Sequence, residues 1–206
     1  MNQSSFPSRT VRGPVDHEIR AQIVAAANEH FSRYGYGKTT VSDLAKAIGF
    51  SKAYIYKFFD SKQAIGEAIC SNCLETIVTA VDEAVSVESL SATERFRRLV
   101  KTAVVTGVSL FFNDRKLYDI AASAASESWP SAQFYEASIR AFVRQIVSDG
   151  RELGEFERKT PLDETVNAIY LALRPYINPL LLQYSLDGVE EASTSIANLV
   201  LRSLMP

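Results

Sequence analysis

Two cysteines, two histidines and one tryptophan in 206 residues leave little material for metal or redox chemistry. Cys70-Ser-Asn-Cys73 has C-x-x-C spacing but falls inside a helical pattern, and His17 and His30 belong to a different one, so no metal site is expected. Glycine is sparse, at nine residues. The chain has no Gly-rich phosphate loop, no G-x-S-x-G and no H-E-x-x-H, which removes the usual nucleotide, acyl-transfer and zinc-hydrolase chemistries. Neither enzymatic activity nor a cofactor is expected. No uninterrupted apolar run is long enough to span a bilayer, and no charged-then-apolar leader opens the chain. With so few cysteines, that points to the reducing cytoplasm and to no membrane partner. Strand signals are also weak: no stretch alternates cleanly, and Asp187-Gly188 sits between helical patterns rather than in a hairpin.

Helical periodicity fills the space those absences leave. One apolar row, Ile19, Ile23, Ala27 and Phe31, recurs every four residues from about Asp16 to Tyr34 and stops at Gly35. Further segments run from about Ser61 to Val87, Ser91 to Phe112, Arg115 to Ser128, Ser131 to Leu153, Pro161 to Ser185 and Gly188 to Leu204. Pro175 and Pro179 predict a kinked or broken helix in the segment from Pro161 to Ser185. With two short helices between Thr39 and Ser61, the expectation is an all-α protein of about nine helices. Gly66, inside the fourth, costs about 1 kcal/mol against alanine and suggests close packing or a hinge.

Residues Thr39 to Lys62, TTVSDLAKAIGFSKAYIYKFFDSK, carry the most chemistry. Thr40 can cap a helix with Asp43 three residues on, a shorter-armed capping box. Ala45 is small where two helices cross steeply, Gly49 supplies a turn that needs positive φ, and Ser51 offers a second cap. Leu44, Ile48 and Ile55 anchor both helices. This is the sequence form of a helix-turn-helix, whose second helix enters the DNA major groove. Charge agrees with it. Residues 1–63 hold 9 Lys+Arg and 5 Asp+Glu, net +4, whereas residues 64–206 hold 13 and 19, net −6. Only one end of the molecule is built to meet phosphate.

The motifs Phe31-Ser-Arg-Tyr-Gly35-Tyr36, Thr39-Thr40-Val41-Ser-Asp43-Leu44-Ala45, Gly49-Phe-Ser51-Lys52 and Ile55-Tyr56-Lys57-Phe58-Phe59-Asp-Ser61-Lys62 together resemble the TetR family of transcriptional regulators. The likeness spans about 50 residues; beyond it, only helix count and Gly150-x-x-x-Gly154-x-Phe156 agree. Phe58 stands where the family has histidine, and Lys57 where it has a second aromatic residue. The resemblance implies a flexible arm (1–13), a DNA-binding domain (14–60) and an effector-binding and dimerisation domain (61–206). It also implies a ligand-responsive, sequence-specific regulator, a repressor binding a palindromic operator as a homodimer. The alternative is a helical small-molecule binding protein or enzyme with a vestigial DNA-binding module; a nucleoid-type protein without sequence preference is a third.

Site residues follow from that frame. Ser51, Lys52, Ala53 and Tyr54 open the recognition helix and are expected at the DNA: Lys52 at a guanine edge or equally a phosphate, Ala53 at a thymine methyl, Tyr54 on a sugar or through its hydroxyl. Tyr56 and Lys57 resemble the family's phosphate-contacting pair, and Thr39, Thr40 and Lys62 are expected at phosphates. Ile55, Phe58 and Phe59 read as core. Val166, Ile169, Tyr170, Leu173 and Ile177, with Ile196, Leu199 and Val200, form stripes expected to make a four-helix dimer interface. An unknown small-molecule effector is expected among Phe111, Phe112, Tyr118, Trp129, Phe134, Tyr170 and Arg174, aromatic walls with a few polar groups.

Overall fold

A computed structural model describes residues 13–113 and 118–206, with side chains for 16–111 and 118–206. Ten α-helices and no strand occur among the described residues. They are α1 (Gly13–Tyr34), α2 (Val41–Ile48), α3 (Lys52–Ile55), α4 (Lys62–Val85), α5 (Ala92–Val108), α6 (Tyr118–Ser126), α7 (Pro130–Glu152), α8 (Leu162–Ile177), α9 (Pro179–Leu182) and α10 (Val189–Ser203). A π-helical turn, Ser109–Asn113, extends α5. The expected arm lies outside the described residues except for Gly13, which begins α1. The tenth helix arises where the prolines predicted trouble. Pro175 is accommodated inside α8, and the chain breaks at Asn178, whose Oδ1 accepts the N–H groups of Leu180 and Leu181 and so starts α9.

α4 organises the molecule. Ile65, Ile69, Leu74, Ile77, Val81 and Val85 form a buried row along it, packed against α1, α5, α6 and α7. By length and composition alone α4 passes as a membrane span, with an 18-residue window of mean hydropathy 1.3. Its apolar row is the inner face of a core helix, with Asp82 and Glu83 exposed behind it.

Two carboxylates fasten separate helices by capping their N-termini across the fold. Glu67 on α4 accepts from the N–H (2.7 Å) and hydroxyl (2.8 Å) of Ser131, in the first turn of α7. Glu155 accepts from the N–H groups of Ala92 (2.9 Å) and Thr93 (3.1 Å) at the start of α5. Both exploit free N–H groups and the positive end of the helix dipole. Burial acts to raise the Glu155 pKa, but those hydrogen bonds and Arg95 outweigh it, so the value falls below the ordinary 4.5. A depressed carboxyl stabilises the fold fully above its ordinary value and loses that contribution as pH falls through the folded value. Glu155→Gln is therefore expected to be less stable than the parent at neutral pH. The gap should narrow below about pH 4, read from denaturation midpoints across a pH series.

Candidate nucleic-acid interface and effector cavity

The helix-turn-helix forms as its residues dictate. The Thr40 hydroxyl accepts from the Asp43 N–H (3.2 Å), and the Asp43 carboxylate accepts from the Thr40 N–H (2.9 Å) and hydroxyl (2.7 Å). Those bonds, side chain first, hold the Asp43 carboxyl below its ordinary range. Gly49 ends α2 at φ +79°, where a Cβ would be strained. Ser51 caps α3 through the Tyr54 N–H (3.1 Å). The helix proper is one turn long and continues as hydrogen-bonded turns to Phe59.

α3 has two faces. Ile55 and Phe59 are buried in the core, while Lys52, Ala53, Tyr56 and Lys57 are exposed. Lys52 lies 5.8 Å from the Tyr56 ring centroid, so a cation and a phenol present themselves together. Tyr54 is less free than expected. Its ring stands edge-on between Phe50 (5.0 Å) and Phe58 (5.3 Å), with the Lys57 ammonium 5.4 Å from its centroid. Phe58 thus gains a packing role where an imidazole was lost. A contact that sequence reasoning missed braces this ladder. Arg20 of α1 donates to the Phe58 carbonyl and stacks 4.3 Å over Phe59. Arg20 and Phe58 are 38 positions apart, and no local signal pairs them.

Two expected phosphate contacts are corrected. Thr39 is buried at 3% exposure, and its hydroxyl donates to the Gly35 carbonyl (2.9 Å). It lies behind the interface because the turn after α1 needs that bond. Lys62 directs its ammonium inward to the Tyr36 carbonyl (3.0 Å), 4.4 Å from the Tyr36 ring centroid. Tyr36 sits edge-on to Trp129, with centroids 6.0 Å apart. A Cβ on Gly66 would come within 2.9 Å of Tyr36 and 3.2 Å of Trp129. The glycine in α4 is there for that close approach. Burial, then the Glu127 charge, pushes the Tyr36 phenol up to about 12, so it stays neutral.

Of the residues expected at an effector, Tyr170 and Arg174 come together. They line a partly open cavity of about 130 Å³ with Cys70, Leu74, Ala124, Tyr135 and Asn178, between α4, α6, α7 and α8. The others do not. Phe111 is buried elsewhere in the core, Phe134 is 54% exposed, and Trp129 is buried against Tyr36 with its N–H on Glu127 (2.9 Å). Tyr118 lies beside Gln183 and Tyr184, away from this lining. The Phe112 side chain falls outside the described residues. Sequence reasoning weighed Cys70 only as a metal or redox group and did not place it at this cavity; burial pushes its thiol pKa up to about 12. It forms a neutral wall. A larger depression, about 550 Å³, is an open groove between α5 and α10 and gathers none of the expected residues.

The expected dimer stripes also point the other way. Val166, Ile169, Leu173, Ile177 and Val200 are buried within the chain's own bundle, and Ile196 is half-buried; only Leu199, at 55%, is exposed. The stripes are wide because α8 is covered by α7, α10 and α5 of the same chain. The outward rows are instead Glu164, Ala168, Leu171 and Arg174 on α8 and Glu191, Ser195, Leu199 and Arg202 on α10.

A helix-turn-helix with an exposed basic face, packed onto a larger helical bundle, defines a class, the helix-turn-helix DNA-binding regulators. Residues 23–69 match the family described as bacterial regulatory proteins, tetR family, and residues 92–196 match the tetracyclin repressor-like C-terminal domain. The chain belongs to the TetR family of transcriptional regulators. It is 22% identical over 189 residues to the HTH-type transcriptional regulator YdgC of Bacillus subtilis, covering 92% of this chain and 94% of that one. The crystal structure of the TetR-family regulator PfmR from Thermus thermophilus is 26% identical, with a TM-score of 0.58 over 89% of this chain and 99% of that one. FadR from Bacillus subtilis, solved in complex with stearoyl-CoA, shares the fold at 18% identity and a TM-score of 0.67, covering 89% and 98%.

Proposed function

We propose that this protein represses transcription by binding a palindromic operator in the cytoplasm as a homodimer, and that a small molecule in the α4–α6–α7–α8 cavity releases it. The observation that carries the reading is the two-faced α3: Lys52, Ala53, Tyr56 and Lys57 face solvent from a backbone pinned by Ile55 and Phe59. Residues 14–60 form the reading head, residues 61–206 the effector and dimer domain. One short helix covers only a few base pairs, so two copies are needed to read an operator. Leu171 on α8 and Leu199 on α10, exposed among polar neighbours, supply the interface, while Arg174 at the end of the α8 row belongs to the cavity rim.

The join between cavity and reading head supports ligand control. Ser128 lines the cavity and holds φ +54°, the single positive value outside glycine among the described residues. Backbone strain of this kind persists where surroundings over-determine it. Its neighbour Trp129 packs on Tyr36 of the reading head. A ligand that moves the Ser128 turn moves the contact that sets the reading head's angle, through differential affinity for two states.

Gel-shift titration with the promoter duplex beside the gene tests this. Specific binding is expected at nanomolar-range affinity, weakening steeply with salt. Equal affinity for any duplex of the same length would sink the repressor reading in favour of a nucleoid-type protein. Small-molecule binding with no duplex binding at all would favour the vestigial-module reading.

A further inference from the structure

The geometry points to a small organic carboxylate of single-ring size as the ligand of the α4–α6–α7–α8 cavity, held by Arg174 and the Asn178 carboxamide. The inference rests on the effector reading of that cavity and adds its chemistry. Size comes first. The space is about 130 Å³, close to the roughly 150 Å³ apolar cavity that accepts benzene. A single ring fills that space, and a long acyl chain or a multi-ring compound would leave part of itself in solvent. Its apolar wall is short-armed: Ala121, Ala124, Ala125 and Ala132 leave a slot against Leu74 and Cys70.

The polar groups select for an acceptor with negative charge. Glu136 lines the cavity but is already answered by Arg140 (3.0 Å), which also stacks 3.9 Å over the Tyr170 ring. That pair is neutral in sum. Arg174 has no ion-pair partner among the described residues, so with Glu136 matched by Arg140 just outside the lining, one positive charge at the cavity is left uncompensated. Asn178 spends its Oδ1 on the N–H groups of Leu180 (3.0 Å) and Leu181 (3.4 Å), which leaves its NH₂ as the free end. The Tyr135 hydroxyl proton is committed to the Ile177 carbonyl (3.1 Å). Guanidinium and amide N–H groups beside an apolar slot match a carboxylate on a ring, and a charge-assisted pair is the strongest contact on offer.

Benzoate is the probe, added to the DNA-free full-length protein. Calorimetry and the fluorescence of Trp129, the sole tryptophan and next in chain to Ser128, are the readouts. Saturable binding of one benzoate per chain is expected. Benzyl alcohol, the neutral analogue, should bind at least about tenfold more weakly, and laurate, whose chain the slot holds only in part, more weakly than benzoate. Arg174→Ala, a change at an exposed position, should erase the preference for benzoate over benzyl alcohol, and Arg174→Lys should restore part of it. Ala124→Leu, filling the slot, should abolish both ligands while its thermal melt stays cooperative. The proposal is overturned if benzoate does not bind, or if Arg174→Ala leaves the preference intact. A neutral or long-chain compound that releases DNA, and is blocked by Ala124→Leu, removes the carboxylate class but keeps the cavity as the effector site. Release by small molecules that Ala124→Leu leaves untouched removes the effector reading itself.

Discussion

Replacing Lys52 and Tyr56 together by alanine is expected to abolish specific operator binding without unfolding the protein. Both side chains are exposed and lie on the solvent face of α3. The helix is held by Ile55, Phe59 and the Ser51 cap, which the substitutions leave alone. A specific base contact at Lys52 contributes about 1–3 kcal/mol of discrimination, and a dimer loses it in both half-sites together with the Tyr56 phosphate contacts, so affinity falls by roughly 30-fold or more. The residual binding carries a second signature. If Lys52 neutralises a phosphate rather than reading a base, the slope of log affinity against log salt falls by about one for that substitution. Gel-shift titrations at several salt concentrations, with a thermal melt as the folding control, give both numbers. Undiminished specific binding by the double variant would show that another surface reads the DNA. Thr39 and Lys62 make useful contrasts, because their side chains are turned inward to Gly35 and Tyr36. Their substitution should disturb the reading head's attachment rather than its salt slope.

Gly150→Ala is the substitution expected to cost most in stability. A Cβ at this position would lie 2.2 and 2.5 Å from two ring carbons of Phe156 and 2.9 Å from the Ala92 Cβ. Phe156 and Ala92 are both buried, so the ring has no open side to retreat into. Overpacking of this kind costs about 1–3 kcal/mol, against about 1 kcal/mol gained in helix propensity. The clash should win because Phe156 also sits next to Glu155, whose carboxylate caps α5. Displacing the ring therefore loosens a helix start far away in the chain. Melting temperature is the measure, at about 2–4 °C per kcal/mol for a chain of this length. Phe156→Leu in the same chain should recover part of the loss, since the two residues are in contact and their effects do not add. An unchanged melting temperature in Gly150→Ala would contradict this packing.

The helix-turn-helix was legible residue by residue because its determinants are local. Thr40 with Asp43, Gly49 and Ser51 act through neighbours a few positions away, and all do what their chemistry dictates. The break near Pro179 was legible for the same reason, though the cap that starts α9 belongs to Asn178. The cavity was legible only in part. Arg174 stood out as a charged group among aromatic residues, but Ala121, Ala124 and Ala125 carry no signal until α6 is laid beside α4 and α7. The aromatic residues misled because burial and ligand contact ask for the same residue types. Phe111 and Trp129 met the first need, not the second.

The dimer stripes failed for a related reason. Periodicity shows that one face of a helix is apolar, and it is silent on whether the cover comes from the same chain or from a second copy. Val166, Ile169, Leu173 and Ile177 are covered by their own chain.

The sequence by itself determined the all-helical class, the helix caps and turns of the reading head, the charge split and the family. These depend on backbone geometry and contacts a few residues apart, which composition and spacing encode directly. Tertiary structure alone decided that Lys62 and Thr39 face inward, that Arg20 braces α3, that Glu67 and Glu155 cap distant helices, and that the apolar stripe of α8 is core. Each joins residues whose separation along the chain carries no information about their distance in space, and only the packed bundle brings them into reach.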